Sequence, residues 1–290
     1  MAKILDGKRI ASEIYNELQE DITLLKENNI TPGLSVILVG DRIDSKTYVD
    51  MKQKKCRELG IFSKLIKFEE DVSENEIIKI IDDLNNDDKI NGILIQLPLP
   101  KHLNENNILS TVKLSKDVDG FHFENIGRLA VDKNPLFIPC TPKGCLEILD
   151  RYKIELCGKN ICILGASAIV GLPLSLLLLY RNATVTICHA KTKNIENITK
   201  RADILISACG RTEMVKKDWI KDNCIIIDIG INSKPDTSRK LGYRLVGDVD
   251  FNDVKEKAEY ITPVPGGVGP MTIAMLMKQT IESAKRENEL

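Results

Sequence analysis

The chain carries almost no net charge: 41 lysines and arginines stand against 42 aspartates and glutamates, a sum of −1. No global basic field exists to hold nucleic acid or an anionic membrane, so neither is expected as a partner. Histidine is scarce (His102, His122, His189), and none of the eight cysteines falls in a C-x-x-C pair; the tightest spacings, Cys140/Cys145 and Cys157/Cys162, are C-x4-C. Such spacing offers neither a zinc site nor a disulfide framework, and no metal is expected. It reads as reduced packing thiols in a cytoplasmic protein. The N-terminus MAKILDGKRIASEI carries Lys3, Asp6, Lys8 and Arg9 and has no apolar h-region, so no signal peptide is expected. Internal repeats and low-complexity tracts are missing as well.

What is there is an ordinary globular composition, 43% hydrophobic and 29% charged over 290 residues, enough for one large domain or two ordinary ones. A chain this long buries about 75% of its unfolded surface and needs no staples. One stretch has bilayer-spanning length: residues 161–180, ICILGASAIVGLPLSLLLLY. Gly165, Ser167, Gly171, Pro173 and Ser175 interrupt it, so a buried strand, a glycine turn and a buried helix explain the order better.

Periodicity along the chain alternates between helix and strand. Helices are predicted over 8–26, 45–59 (stopped by Gly60) and 73–85, and strands over 34–40, 62–68 and 91–96. Residues 116–139 read as irregular. The rhythm then restarts with a helix at 141–152, a strand at 159–165 and a helix at 170–180. Strands follow at 183–188, 203–209, 224–230 and 260–264, and a last helix begins at Pro270. Continuous apolar strands separated by helices imply parallel βαβ units covered on both faces. The expected fold class is therefore α/β, with two α/β domains flanking a cleft, the second a Rossmann-type NAD(P)-binding domain. Residues 1–139 with the helix 270–290 would form the first and 140–269 the second, with the cleft as the default site.

The strand ICIL, the turn Gly165-Ala166-Ser167-Ala-Ile-Val170-Gly171 and the apolar helix after it give the context in which a glycine turn cradles a pyrophosphate. The spacing is looser than G-x-G-x-x-G, and a bare strand-to-helix turn is the alternative. A nucleophile elbow would need glycine where Ile169 stands. The next strand ends at Cys188-His189-Ala190-Lys191-Thr192. An NAD enzyme usually places an acid near this point for the ribose 2′-hydroxyl; here Lys191 and Lys193 follow instead, which favours NADP, with NAD possible and a solvated turn as the plain reading.

Tyr48 and Lys52, four residues apart, share a helix face. A lysine in a half-buried cleft can lose its charge near neutral pH and act as a base, and a tyrosine beside it can stack on a flat ring. Surface packing is the common meaning of such a pair. Gln96-Leu97-Pro98 sits at the C-terminal end of a predicted parallel strand, where ligands bind in such sheets. Asp117-Val118-Asp119-Gly120 is either an acidic turn that pairs with an amidine-like heterocycle or a plain Asp-Gly turn. Pro263 to Thr272, PVPGGVGPMT, is too rich in glycine and proline for a generic linker and reads as backbone packed against a ligand or another domain.

Taken together, Val39-GDRIDSKTYVDMKQKKCRELGI, GILIQLPLP, KDVDGFH, GASAIVGLP, CHAKT, DIGIN and ITPVPGGVGPMT resemble, in this order, the tetrahydrofolate dehydrogenase/cyclohydrolase family. The stretches run from residue 39 to 272. The resemblance implies a homodimeric enzyme of one-carbon metabolism, on the way to purine biosynthesis, binding tetrahydrofolate derivatives and NADP. It would oxidise 5,10-methylenetetrahydrofolate and hydrolyse the methenyl product to 10-formyltetrahydrofolate. By position, Lys52 becomes the key catalytic residue, with Tyr48 stacking on the pterin, Gln96 orienting the lysine and Asp119 holding the pterin edge. Leu97, Pro98, Pro263, Gly266, Gly267 and Thr272 complete the implied substrate site. Gly165, Ala166, Ser167, Val170, His189, Ala190, Lys191, Cys209, Gly210, Ile231 and Thr272 form the implied dinucleotide site. Two departures stand out: many family members carry arginine at the position of Ala166 and serine or arginine at that of Ala190, which leaves Lys191 to meet a 2′-phosphate. The rival readings are one surviving activity, a different Rossmann-type dehydrogenase of the amino-acid or shikimate kind, or a non-catalytic NADP-binding protein.

Overall fold

The computed structural model describes residues 1–131, 133–239 and 242–290. In chain order the elements are β1 (Lys3–Ile4), α1 (Gly7–Glu27), β2 (Gly33–Val39), α2 (Ile43–Leu59), β3 (Phe62–Phe68), α3 (Glu74–Asn85) and β4 (Gly92–Ile95). Next come α4 (Glu105–Ser110), α5 (Phe123–Val131), α6 (Cys140–Arg151), β5 (Asn160–Leu164), α7 (Gly171–Leu179), β6 (Thr184–Cys188), α8 (Ile195–Thr199) and β7 (Ile204–Ser207). The chain ends with β8 (Ile225–Asp228), β9 (Asn232–Pro235), β10 (Tyr243–Val246), α9 (Phe251–Val254), β11 (Tyr260–Ile261) and α10 (Val268–Glu287). They form two compact units: Met1–Ser12 with Thr141–Thr272, and Glu13–Cys140 with Ile273–Leu290.

The Glu13–Cys140 unit is built on a parallel sheet in the order β3-β2-β4. β2, GLSVILV, is buried along its whole length because it is central and covered on both faces. β3, FSKLIKF, alternates in exposure as an edge strand does. α3 starts on a capping box in which Ser73 and Glu76 satisfy each other's backbone N–H groups. Its Ile77, Ile81 and Leu84 share a core with Ile37, Ile93 and Ile95 of the sheet. β2 leads out to β3 on one side, and the chain then returns to place β4 on the other. The C-terminal ends of β2 and β4 are thus a topological switch point, where α/β sheets bind ligands.

The other unit holds a six-stranded parallel sheet, β1-β11-β8-β7-β5-β6, and an antiparallel pair, β9-β10. Its switch point falls between β5 and β7. Leu164, Leu205, Ile226 and Ile261 share one core beneath this sheet. Segment 161–180 resolves into β5, the glycine turn and α7, and no helix among the described residues is long and apolar enough to cross a membrane.

Several expected elements differ. Residues 116–139 are not irregular throughout: α5 lies inside them, burying only Asn125 and Leu129, too few for an apolar stripe to show; residue 132 of this stretch lies outside those described. The last helix starts at Val268, so Pro270 sits inside its first turn, where the N–H it lacks has no intrahelical partner anyway. The expected strand at 260–264 pairs only at Tyr260 and Ile261. No strand is predicted before residue 8, yet β1 pairs in parallel with β11, Lys3 opposite Tyr260 and Ile4 opposite Ile261. That pairing places the first twelve residues with the sheet of Thr141–Thr272 rather than with the N-terminal half.

Candidate active site

In α2 the residues Ser45, Val49, Lys52, Cys56 and Leu59 are buried and recur at three- and four-residue intervals. Lys52 therefore occupies a place in the core-facing stripe where an apolar side chain is the ordinary choice. It is only 7% exposed. Its Nζ donates to Gln96 Oε1 at 3.0 Å, and Gln96, just past β4, donates from Nε2 to its neighbour Leu97's carbonyl at 2.9 Å. Burial drives the lysine below its usual pKa, and attraction from Asp119 opposes that shift. Tyr48, one turn earlier, is half-buried. Leu97 is half-buried and Pro98 exposed, joined by a cis peptide bond.

Asp119 sits on a turn held from three directions. The Asp117 carboxylate accepts from Phe121 N (3.1 Å), His122 N (2.9 Å) and Asn125 Nδ2 (2.7 Å). Gly120 has φ +74°, and a Cβ there would come within 2.6 Å of the Ile138–Pro139 backbone, so no other residue fits. Gln279 of α10, 1% exposed, donates to the carbonyls of Val118 (2.7 Å) and Ile138 (3.0 Å) and accepts from Ile138 N (3.1 Å). Burial raises the Asp119 pKa, while Lys52 and a hydrogen bond from the Cys140 thiol pull it back. Lysine and aspartate thus hold each other's charge against a desolvating site.

In the Thr141–Thr272 unit, the turn after β5 lies at the switch point. Gly165 has φ +126°, and any Cβ on it would collide with the Ala208 carbonyl at the end of β7. Ser167 Oγ accepts from Val170 N at 3.2 Å and the Ser167 carbonyl accepts from Leu172 N at 3.0 Å, so the turn itself shapes the entry to α7. Ala166 and Ser167 are exposed and Val170 half-buried. After β6, the Thr192 hydroxyl accepts from His189 N (2.9 Å), and His189 Nδ1 accepts from Lys191 N (3.2 Å). This leaves Ala190 and Lys191 exposed on a closed turn that contains no carboxylate. Cys209 and Gly210 follow β7, and Ile231, 40% exposed, follows β8.

Pro263, Gly266, Gly267 and Thr272 also belong to the Thr141–Thr272 unit, not to the one carrying Lys52. Their glycines have a reason within the unit: Gly266 O accepts from Lys8 N at 3.0 Å, and Gly267 packs against Gly7 at the start of α1. The Thr272 hydroxyl shares a hydrogen bond with Thr141 at 3.0 Å. Sequence reasoning overlooked Gln279, Asp117 as the brace of the Asp119 turn, and Asp248 at the loops after β7 and β8. The sequence gives a hint only for the last, as an acid inside the apolar run LVGDVDF. Among the described residues, no group of three or more histidine, cysteine or acidic side chains is placed to hold a metal ion.

Two family models match the chain: the tetrahydrofolate dehydrogenase/cyclohydrolase catalytic domain over residues 5–119, and the NAD(P)-binding domain of the same name over residues 139–288. The bifunctional protein FolD of Thermodesulfovibrio yellowstonii is 54% identical over 289 residues, covering 100% of this chain and 99% of that protein. The bifunctional FolD methylenetetrahydrofolate dehydrogenase/cyclohydrolase from Campylobacter jejuni has a crystal structure with a TM-score of 0.93 at 46% identity, covering 99% of this chain and 100% of that one. The corresponding Trypanosoma brucei enzyme, complexed with NADP cofactor and inhibitor, gives a TM-score of 0.96 at 38% identity, covering 100% of this chain and 99% of that one.

Proposed function

The chain belongs to the tetrahydrofolate dehydrogenase/cyclohydrolase family, and from that premise we propose that it oxidises 5,10-methylenetetrahydrofolate with NADP and hydrolyses the methenyl product to 10-formyltetrahydrofolate. The observation that carries this reading is the Lys52–Gln96 hydrogen bond beside Asp119: a buried amine, aimed by a neutral amide and biased toward its uncharged form.

For the oxidation, NADP supplies the hydride acceptor when bound. The chain's own part is positioning, since the folate nitrogens stabilise the cation that forms. Tyr48 stacks on the pterin and Asp119 accepts hydrogen bonds from its amidine-like edge. The dinucleotide residues fit their group: Gly165 lets the backbone come close at the switch point, and the turn after β6 offers Lys191 and no acid, which supports a 2′-phosphate over a bare ribose.

For the hydrolysis, water adds to the methenyl carbon as Lys52 takes its proton. The protonated lysine then delivers that proton to the folate N5 as the carbon–nitrogen bond breaks. The remaining hydroxyl proton leaves to solvent as the formyl carbonyl forms, so one proton is released per turnover. Gln96 keeps the amine aimed throughout.

One spectrophotometric assay tests the reading. Methylenetetrahydrofolate with NADP or NAD should yield reduced cofactor, with NADP faster, and methenyltetrahydrofolate alone should lose its absorbance faster than in buffer. A chain that accelerates neither reaction overturns it. The same reading makes the enzyme a cytoplasmic homodimer on the route to purines. The open edge of β6, the exposed Leu172 and Leu179 of α7 and the reduced, mostly buried cysteines support this. Sedimentation at micromolar concentration should give twice the 32.5 kDa chain mass, and a monomer would remove the dimer.

A further inference from the structure

Asp248 follows the β9–β10 hairpin and is fully buried. One of its oxygens, Oδ2, accepts from Cys209 N at 2.8 Å, Gly210 N at 3.2 Å and the Ser207 hydroxyl at 3.2 Å, with the Cys209 thiol at 3.3 Å. Oδ1 accepts from Arg211 N at 2.9 Å and from Asn232 Nδ2 at 2.9 Å. One carboxylate therefore gathers the loop that leaves β7 and the loop that leaves β8. A second carboxylate fixes the first in place: Asp228, at the end of β8, accepts from Asp248 N (3.0 Å), Val249 N (2.9 Å) and Gly230 N (3.0 Å). Packing around the pair is tight enough that a Cβ on Gly230 would run into the Asp248 carboxylate.

Three consecutive backbone N–H groups pointing at one anion make a concave turn that the chain cannot keep without it. Without the carboxylate these N–H groups would turn toward water, since Gly210 and Arg211 are already exposed, and the turn would lose its shape. The two loops so gathered carry Cys209, Gly210 and Ile231, and they stand at the C-terminal ends of strands beside the switch point, where a dinucleotide binds. Asp248 itself is fully buried, with both oxygens occupied by the protein.

We propose that Asp248 is the positioning residue of the dinucleotide site, setting the loops after β7 and β8 in the shape that receives the cofactor. The proposal rests on the NADP reading above and assigns Asp248 no contact with folate. In Asp248→Asn, either orientation of the amide turns an NH2 toward N–H donors, so the loops must open. The variant should raise the KM for NADP and the Kd for NADPH, read by titration, by roughly tenfold or more. Its cyclohydrolase kcat and KM, which need no dinucleotide, should stay within about twofold of the parent if the fold is otherwise intact. Asn232→Ala removes one tether and leaves the backbone donors paired. It should raise the same two constants by roughly threefold or more, the loss expected for a single hydrogen bond, and it decides the matter if Asp248→Asn does not fold. Dinucleotide constants equal to the parent's in folded variants overturn the proposal. So does a parallel fall of both activities, which would mark a general structural role. Titration of the parent with NADPH separates the two levels: no binding there removes the functional reading and this inference together, whereas normal binding with unaffected variants removes only this inference.

Discussion

Lys52 donates to Gln96 through a 3.0 Å hydrogen bond, and the acceptor is a neutral amide oxygen rather than a carboxylate. The choice matters for a proton carrier. An amine and an ammonium both have an N–H to donate, so the side chain stays aimed in either state. A carboxylate acceptor would instead hold the charged form. The bond from Gln96 Nε2 to the Leu97 carbonyl fixes which way the amide faces.

The first prediction concerns Lys52→Met, which keeps the aliphatic stem and removes the transferable proton. Cyclohydrolase kcat should fall by roughly 10²–10⁴, as for a lost general acid–base group, and the dehydrogenase should fall less. Because burial lowers the lysine pKa, the parent's hydrolysis should climb with pH at values below the usual lysine range, as the neutral amine appears. That limb should be gone in the variant. Lys54→Met is the silent control: its side chain is 73% exposed and reaches Glu58 only at 3.9 Å in open solvent; Lys55 is unsuitable because it is less exposed and lies over the Tyr15 ring. Undiminished hydrolysis by a folded Lys52→Met enzyme would remove the lysine from the mechanism.

Asp119→Asn should lower both activities together, since both substrates share the pterin. Mismatching its N–H groups in a desolvated site costs about 1–3 kcal/mol. A second effect runs the other way. Asp119 is the attraction that holds the Lys52 pKa up, so its loss should move the residual hydrolysis limb to lower pH. A pH profile of the variant that keeps the parent's midpoint would show that the two groups do not interact.

Lys191→Ala tests cofactor choice. A charge-assisted phosphate contact contributes about 1.5–3 kcal/mol, so the KM for NADP should rise roughly 10- to 150-fold. The value for NAD should barely change, and equal effects on both would assign the lysine no part in reading the 2′-phosphate.

Gln279→Leu tests the brace behind Asp119. It removes donors to Val118 O and Ile138 O and the acceptor for Ile138 N, leaving buried backbone groups unpaired. Unfolding in urea should show a loss of about 1–3 kcal/mol or more, and the KM for folate should rise with the loosened turn. Unchanged stability would mean that the backbone groups find other partners.

Much of this was readable in advance where the cause is local. The apolar runs at β2 and β5 announce buried parallel strands, and the four-residue spacing puts Tyr48 and Lys52 on one helix face, although only the fold shows that Lys52 lies in the buried 45-49-52-56-59 stripe. The Asp119-Gly120 turn shows in the residue pair alone. What escaped depends on partners distant in the chain: β1 needs β11, and Gln279 meets Val118 across 161 positions. The β9–β10 hairpin escaped for another reason, since NSKP and YRLV are short and bury only Val246, with no apolar alternation to read.

The distance between Gln279 and the turn it braces also has a meaning in time. A ribosome makes Asp119, Lys52 and Gln96 well before it makes the helix that holds Val118 and Ile138 in place. While the chain is growing, the carboxylate stands on a turn secured by Asp117, Asn125 and Cys140 but not yet by Gln279. Likewise Lys3 and Ile4 are made long before Tyr260 and Ile261, the partners they need to join a sheet. Both unions wait on segments made long after the residues they secure, so a chain that has not yet reached them can carry every side chain of the proposed site and still lack the arrangement that makes them useful.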